Sequence, residues 1–167
     1  MAKSVKLNYT DTPINGVSSL KLTRGLVNYK ADFKIKETTP DNSVVTNLTS
    51  PISFPERHHF GVTEVGDVYK GSGIDPNLFA PSRRGVSLFG KVTEVWTVED
   101  SVDASYQVAL PVSCHVVIRV PNHELITPAM VEALLGRTVS TLYETGSEAT
   151  TRIASMLRGS MLPSDLK

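Results

Sequence analysis

The chain has 167 residues, of which 40% are hydrophobic and 20% are charged, with 17 basic and 17 acidic side chains. This length and composition exclude a disordered or collagen-like protein and allow one domain or two unusually small ones; we expect a single domain, residues 1–167. With no net charge, the chain must bind any polyanion through a local group of basic residues. No apolar stretch approaches the length of a membrane helix, the first ten residues do not resemble a signal peptide, and the single cysteine, Cys114, excludes an internal disulfide. We therefore expect a protein that is made and used in a cytoplasm.

Basic residues are concentrated in the first part of the chain. Residues 1–91 carry 12 basic and 8 acidic side chains, a net charge of +4, whereas residues 92–167 carry 5 and 9, a net charge of −4. The same first part is rich in short Val, Thr, Phe and Tyr runs separated by Gly, Pro, Asn and Asp, which is typical of β structure. The pattern predicts seven strands, over residues 4–9, 17–24, 28–37, 44–50, 57–65, 86–98 and 105–120.

Two of these strands have clearly different faces. In the third strand one side is apolar and aromatic, while the other carries three lysines, Lys30, Lys34 and Lys36. In the last strand an apolar side that includes Cys114 alternates with a mostly polar side of Ser113, His115 and Arg119. The sixth strand mixes polar and apolar residues on both sides, and Gly90 predicts a β-bulge there.

The periodicity then changes from two residues to 3.6. Thr127 followed by Pro128 predicts a helix start, and the apolar repeat predicts a helix over residues 128–143. Thr145 and Glu148 have the spacing of a capping box, so a second helix is expected over residues 146–158, ended by Gly159. The side chains expected to form the apolar face of the two helices are Val131, Leu134, Leu135, Leu142, Ile153, Met156 and Leu157. Strands followed by helices predict an α+β fold, with one antiparallel sheet and the helices on one of its faces.

No common catalytic or metal-binding motif is present. The sequence contains no phosphate-binding glycine loop, no nucleophile elbow and no His-Glu-x-x-His pair. His58 and His59 fall on opposite faces of a predicted strand, so we expect two ordinary surface histidines instead of a metal site. Cys114 is expected to pack as a small hydrophobic residue. We therefore predict a protein that is not an enzyme and uses no cofactor and no metal.

The order of these elements resembles the coat proteins of the small single-stranded RNA bacteriophages, the leviviruses. The resemblance is best over residues 110–163, where LPVSCHVVIRVPN leads into TPAMVEALLGRTVSTL and the second predicted helix ends in RIASMLRGSMLP. It implies an N-terminal hairpin, a five-stranded antiparallel sheet and two C-terminal helices. It also implies a dimer in which two sheets join and the helices of each subunit cross over the other, and dimers that close into an icosahedral T=3 shell.

The resemblance further implies that the sheet face without helices holds the genomic RNA, and in some members an RNA hairpin that lets the coat repress translation. Phosphates would be neutralised by Lys and Arg, and polar or ring side chains would be available for unpaired bases. The residues expected on that face are Lys30, Lys34, Lys36, His59, Thr63, Lys91, Thr93, Ser113, His115 and Arg119.

The leading hypothesis is therefore a capsid subunit that dimerises, assembles and packages single-stranded RNA, with no membrane partner. Its expected location is the virion, assembled in the cytoplasm of a bacterial host. The alternative is a small dimeric RNA-binding module or repressor that uses the same sheet face and forms no shell. A polar strand face is also what any antiparallel sheet with one solvated side shows. Three lysines on the same face of one strand nevertheless favour RNA binding over simple solvation.

Overall fold

A computed structural model describes residues 5, 8–12, 14, 27–79, 82–102 and 105–159 of the chain. The fold divides into two compact units. One consists of Leu26–His123 and the other of Met1–Gly25 together with Glu124–Lys167. The first unit contains the sheet and the second contains the C-terminal helices. That they act together as one coat-protein domain stays a prediction.

The sheet is a five-stranded antiparallel meander. Its strands are β1 (Phe33–Thr39), β2 (Asn42–Asn47), β3 (Arg57–Val65), β4 (Gly85–Glu99) and β5 (Gln107–Pro121), and they pair in the order β1-β2-β3-β4-β5. Two one-turn helices, α1 (Tyr29–Asp32) and α2 (Pro76–Phe79), belong to the same unit. The predicted five-stranded sheet followed by helices is therefore confirmed.

The hairpin of β4 and β5 is longer than the rest of the sheet. The two strands pair along 15 residues each, whereas β3 pairs with β4 only as far as Arg57 opposite Thr93. Residues 94–99 and 107–112 therefore continue as a two-stranded ribbon. Both β4 ladders run through Gly90 without a register shift, so the predicted bulge at Gly90 is wrong. The shift occurs between Ile35 and Glu37 in β1 instead.

The third predicted strand begins with a helical turn. Asn28 caps this turn, because its side-chain oxygen accepts from the Ala31 N–H at 3.2 Å and its carbonyl accepts from the Asp32 N–H at 2.9 Å. A local bond of an Asn side chain to the backbone competes with strand pairing. The prediction of a strand over residues 28–37 is therefore wrong for residues 29–32.

In the second unit, α3 spans Pro128–Ser140, with Thr127 at the N-cap position but without a side-chain cap. It ends three residues before the predicted end. Three hydroxyls bond to helix carbonyls in its last turns: Thr138 to Leu134, Ser140 to Gly136 and Thr141 to Thr138. Such bonds compete with the backbone ladder and favour the end of a helix.

The second C-terminal helix is much shorter than predicted. α4 spans only Ile153–Leu157, and the expected capping box at Thr145 and Glu148 does not start a helix. Residues 143–151 form a turn closed by a bridge between Tyr143 and Thr151, and Gly146 has the left-handed φ of 80° that interrupts a helix. The predicted end at Gly159 is confirmed, since α4 stops at Leu157 and Gly159 has a φ of 88°.

The first two predicted strands fall largely outside the described residues. Residues 17–24 lie entirely outside them, and residues 5, 8 and 9, which are described, have no assigned secondary structure. In the N-terminal part of the chain, Tyr9 and Asp11 contact Arg137 of α3. Asp11 accepts two hydrogen bonds from the guanidinium of Arg137, at 2.6 and 2.8 Å, and the same guanidinium lies 4.1 Å from the centre of the Tyr9 ring.

Candidate nucleic-acid interface

The register of the sheet sorts its side chains onto two chemically different faces. Directly paired residues of an antiparallel ladder share a face, and successive residues alternate. Lys91 pairs with His59 on one side and with His115 on the other, so these three residues form one row. The neighbouring rows extend this face, called here the polar face, which includes Lys34, Glu37, Thr39, Asn42, Val44, Thr46, Arg57, His59, Thr63, Ser87, Phe89, Lys91, Thr93, Thr97, Glu99, Gln107, Ser113, His115, Val117 and Arg119.

The charges of the strands are divided unequally between the two faces. Four basic residues lie on the polar face, Lys34, Arg57, Lys91 and Arg119, and each comes from a different strand among β1, β3, β4 and β5. The same face carries two acidic residues, Glu37 and Glu99. The other face, within the described strands, carries no Lys or Arg and only Glu64 and Glu94 as acidic residues. The basic side chains are thus spread across one face of the sheet.

Three rings meet near the middle of the polar face. The rings of His59 and Phe89 are 5.0 Å apart in an edge-to-face arrangement, and those of Phe89 and His115 are 6.3 Å apart. The ring of His59 is oriented by Asn42, whose side-chain oxygen accepts a hydrogen bond from Nε2 of His59. Gly61 pairs with Phe89 and has no side chain to cover it. Aromatic and imidazole rings beside basic residues are the groups that contact unpaired bases in sheet-based RNA-binding proteins.

Most of the residues predicted for the RNA-binding face lie on the polar face. The register brings together Lys34, His59, Thr63, Lys91, Thr93, Ser113, His115 and Arg119. Two predicted members do not fit. Lys30 lies in the helical turn α1, so it is not part of a strand. Lys36 is the extra residue at the bulge of β1 and has no register partner, so strand alternation does not place it with Lys34.

Among the residues of this face that the sequence analysis missed, a basic one and an aromatic one matter most, Arg57 and Phe89. Arg57 has the same parity as His59 and Thr63 in β3, and Phe89 has the same parity as Lys91 in β4. Strand alternation alone could have identified Arg57, because the fifth predicted strand, residues 57–65, began at that residue. Phe89 was hidden by the expected bulge at Gly90, which would have disturbed the alternation between positions 89 and 91.

The opposite, apolar face of the sheet is open to solvent along much of its length. It comprises Phe33, Ile35, Val45, His58, Phe60, Val62, Val86, Leu88, Val92, Trp96, Val98, Val108, Leu110, Val112, Cys114, Val116, Ile118 and Val120. Ile35 and Trp96 are 63% and 60% exposed, and Cys114 is exposed instead of packed in a core as expected. A cavity of about 210 Å³ lies between Trp96, Val92 and Val112 on this face. Among the described residues, Tyr143 is the one buried hydrophobic residue.

His58 is the exception on the apolar face, because it is buried, with 3% of its surface exposed. The prediction of a surface histidine is therefore wrong for His58. Its Nε2–H donates to Oε1 of Glu56 at 2.8 Å, and its Nδ1 accepts from the hydroxyl of Tyr29 at 2.8 Å. Burial of the phenol and the nearby carboxylate of Glu56 both raise the pKa of Tyr29 above its usual value. The network satisfies both nitrogens of the buried ring, so neither nitrogen is available to bind a metal ion.

Neither a metal centre nor a membrane helix is found in the part of the chain that the structure describes. No group of three or more His, Cys, Asp or Glu residues is positioned there to hold a metal ion. No helix in that part is both long and apolar enough to cross a membrane.

Comparison with known proteins identifies the fold. No family model and no curated protein sequence matches the chain. Among solved structures, it is similar to the virus-like particle of bacteriophage AVE015, with a TM-score of 0.86 and 29% identity over 99% of this chain and 100% of that chain. It is also similar to the virus-like particle of bacteriophage GQ-112, with a TM-score of 0.76 and 15% identity over 95% of this chain and 96% of that chain. The resemblance to phage coat proteins is therefore confirmed, and the chain has the fold of proteins that form bacteriophage virus-like particles.

Proposed function

We propose that this chain is a capsid subunit that dimerises, assembles into an icosahedral shell and packages single-stranded RNA against the polar face of its sheet. The observation that carries the proposal is the division of charge by the register. Four basic residues from four strands lie on one face, on a fold shared with bacteriophage virus-like particles. The expected location is the virion, after assembly in the host cytoplasm.

The chemistry of the polar face suits a phosphate chain with accessible bases. Lys and Arg neutralise phosphates, and a protein surface that does so gains affinity by releasing counterions. Hydroxyls of Thr63, Thr93 and Ser113 add hydrogen-bonding groups between the basic residues. The ring group around Phe89 adds a surface for unpaired bases. This combination favours single-stranded RNA over a purely structural, solvated sheet face.

The exposure of the apolar face supports a dimer. A folded protein rarely leaves so many large apolar side chains on one sheet face in contact with water, unless another molecule covers them. The apolar residues of the helices show the same feature, since α3 and α4 contain no buried residue and Leu134 is 51% exposed. A second copy of the chain that covers these surfaces would bury them. It would then also cover the residues that were predicted to form the apolar face of the two helices, between Val131 and Leu157.

The edge of the sheet supports the same proposal. In the described part of the chain, β5 has a strand partner only on its β4 side, and it is 15 residues long. A long, exposed and hydrophobic edge strand tends to pair with another chain. Pairing of two β5 edges around a two-fold axis would join two sheets and remove this edge.

The proposal is tested by expressing the chain and examining the product by electron microscopy and by the ratio of absorbance at 260 and 280 nm. We expect RNA-filled shells; discrete RNA-bound dimers without shells would support the alternative of a small RNA-binding module. The triple variant Lys34→Gln, Lys91→Gln and Arg119→Gln is expected to package less RNA. The plot of log affinity against log salt has a negative slope, and the variant should make this slope shallower by about 2, since each lost phosphate contact accounts for roughly 0.7.

The matched control removes three basic residues that lie off the polar face. Lys30→Gln, Lys70→Gln and Arg83→Gln together change the net charge by the same amount, in α1 and in the loop between β3 and β4. We expect this control to retain most of the RNA and most of the salt dependence. Equal losses in the two triple variants would show that net charge, and not the polar face, holds the RNA.

A further inference from the structure

The loop between β2 and β3, residues 48–56, is held in one conformation by hydrogen bonds. The side-chain oxygen of Asn47 accepts from the N–H and the hydroxyl of Thr49, at 2.9 and 2.8 Å. The hydroxyl of Ser50 donates to the Asn47 carbonyl and accepts from the Glu56 N–H. Within the tip, the Phe54 N–H donates to the Pro51 carbonyl at 3.0 Å. The loop is therefore internally bonded from end to end.

The loop is also anchored to the buried histidine of the sheet. One carboxylate oxygen of Glu56 accepts from the side-chain amide of Asn47 at 2.6 Å, and the other accepts from His58, which in turn accepts from Tyr29. Buried polar groups are costly unless fully bonded, and the two bonds of the buried imidazole run to Glu56 at the base of this loop and to Tyr29 in α1. The network therefore fixes the position of the loop relative to the sheet.

This well-fixed loop presents apolar side chains to water. Ile52 is 100% exposed, Leu48 is 62% exposed and Phe54 is 37% exposed. No charged residue occurs between Asn47 and Pro55. A surface loop that is preordered and uncharged loses little conformational entropy on association, and its apolar side chains gain by burial. These properties are typical of a protein contact surface.

We propose that the tip of this loop, with Ile52 at its centre, docks onto another copy of the chain when dimers assemble into a shell. The inference rests on the proposed capsid function, and it goes beyond it by assigning an assembly contact. A second copy is the partner that the comparisons favour, because the solved relative at 29% identity is a virus-like particle, in which copies must contact one another repeatedly. The absence of charge on the tip argues against a polyanionic partner such as RNA.

The test is the replacement Ile52→Ser, compared with Ile74→Ser as a matched control. Ile74 is 62% exposed and lies in the loop between β3 and β4, so the control makes the same chemical change at another exposed loop position. Because Ile52 is fully exposed in the single chain, its replacement should leave folding and the dimer unchanged. We expect the protein concentration needed for shell assembly, measured by light scattering, to rise at least about tenfold for Ile52→Ser and much less for Ile74→Ser.

A second measurement reports on the same contact without weakening it. Ile52→Cys in a Cys114→Ser background should react rapidly with a maleimide as a dimer and at least about tenfold more slowly in the assembled shell. Equal labelling rates in dimers and shells, or equal assembly of Ile52→Ser and the parent, would overturn the inference. If the parent chain forms no shell at all, the proposed function fails instead, so the two failures are distinguishable.

Discussion

The hydroxyl of Tyr29 donates a hydrogen bond to Nδ1 of His58 across 2.8 Å, and this bond joins the helical turn α1 to strand β3. Tyr29→Phe removes this donor but keeps the ring, which lies 5.0 Å from the ring of Phe33 and 5.9 Å from that of Phe60. The change leaves a buried imidazole nitrogen without its partner, so we expect the free energy of unfolding to fall by about 1–3 kcal/mol. The urea midpoint of the purified protein at pH 7 measures this loss.

The control for this variant is Tyr106→Phe, which makes the same change at an exposed tyrosine between β4 and β5. We expect the control to change the urea midpoint little, because water replaces whatever the exposed hydroxyl contacts. Equal effects of the two variants would mean that the bond to His58 contributes nothing specific.

The contact of Asp11 with Arg137 is expected to weaken in acid. Hydrogen bonds from the guanidinium and its positive charge hold the pKa of Asp11 below its usual value of 3.8. Because the folded pKa is the lower one, the contribution of the pair to stability is complete above the unfolded value and is lost as the pH falls through the folded value. Carboxyl NMR should give a midpoint for Asp11 below 3.8, and Arg137→Gln should raise it. An unchanged midpoint in Arg137→Gln would contradict the ion pair.

Leu134 tests whether the apolar face of α3 contacts a second copy. It is 51% exposed in the single chain, so Leu134→Asp should cost the isolated chain little. In an apolar interface, however, an unpaired carboxylate should weaken the dimer at least about 100-fold. Size-exclusion chromatography with light scattering measures the dissociation. Ala133→Asp, at an exposed position one residue earlier in the helix, is the control that should remain dimeric. A stable Leu134→Asp dimer would remove this helix face from the interface.

Cys114 can report on the proposed pairing of two β5 edges. It is exposed and lies in the middle of β5, seven residues from Gln107 and seven from Pro121. A two-fold axis at the middle of the strand would bring the two Cys114 Cα atoms to about 4.5–5.5 Å, within the range that a disulfide requires. Mild oxidation should then give a covalent dimer on a non-reducing gel, and none for Cys114→Ser. A dimeric sample that gives no such band would place the axis elsewhere.

The composition of the polar face illustrates how far strand alternation can be followed in the sequence. Lys91 and Arg119 lie in strands with regular alternation, and Lys34 precedes the bulge of β1; the register places all three on the polar face as predicted. Lys30 and Lys36 were predicted from the same rule and do not follow it. A local Asn28 cap converts the first into a helical residue, and a bulge displaces the second from the ladder. Alternation is a property of continuous strands, so one local interruption is enough to separate neighbouring lysines.

The C-terminal helices show the corresponding limit for helical periodicity. The start of α3 at Pro128 was predicted, because a proline in the first turn is a local signal. The capping box at Thr145 and Glu148 was also a local signal, but the left-handed Gly146 and the bridge between Tyr143 and Thr151 take the chain into a turn. Pairing between residues eight apart thus overrode the preference of a four-residue motif.

By itself the sequence determined the order of the five strands of the sheet and the C-terminal helices, the alternation of β3 and β5 and the resemblance to phage coat proteins, because each depends on residues close together in the chain. Only the tertiary structure decided which strands lie side by side, which basic residues share a face and why His58 is buried. Those features depend on register and on contacts between distant segments, such as the bonds from Tyr29 and Glu56 to His58. A one-residue change of register would move every side chain of a strand to the opposite face, so the location of the candidate interface is a property of the folded sheet.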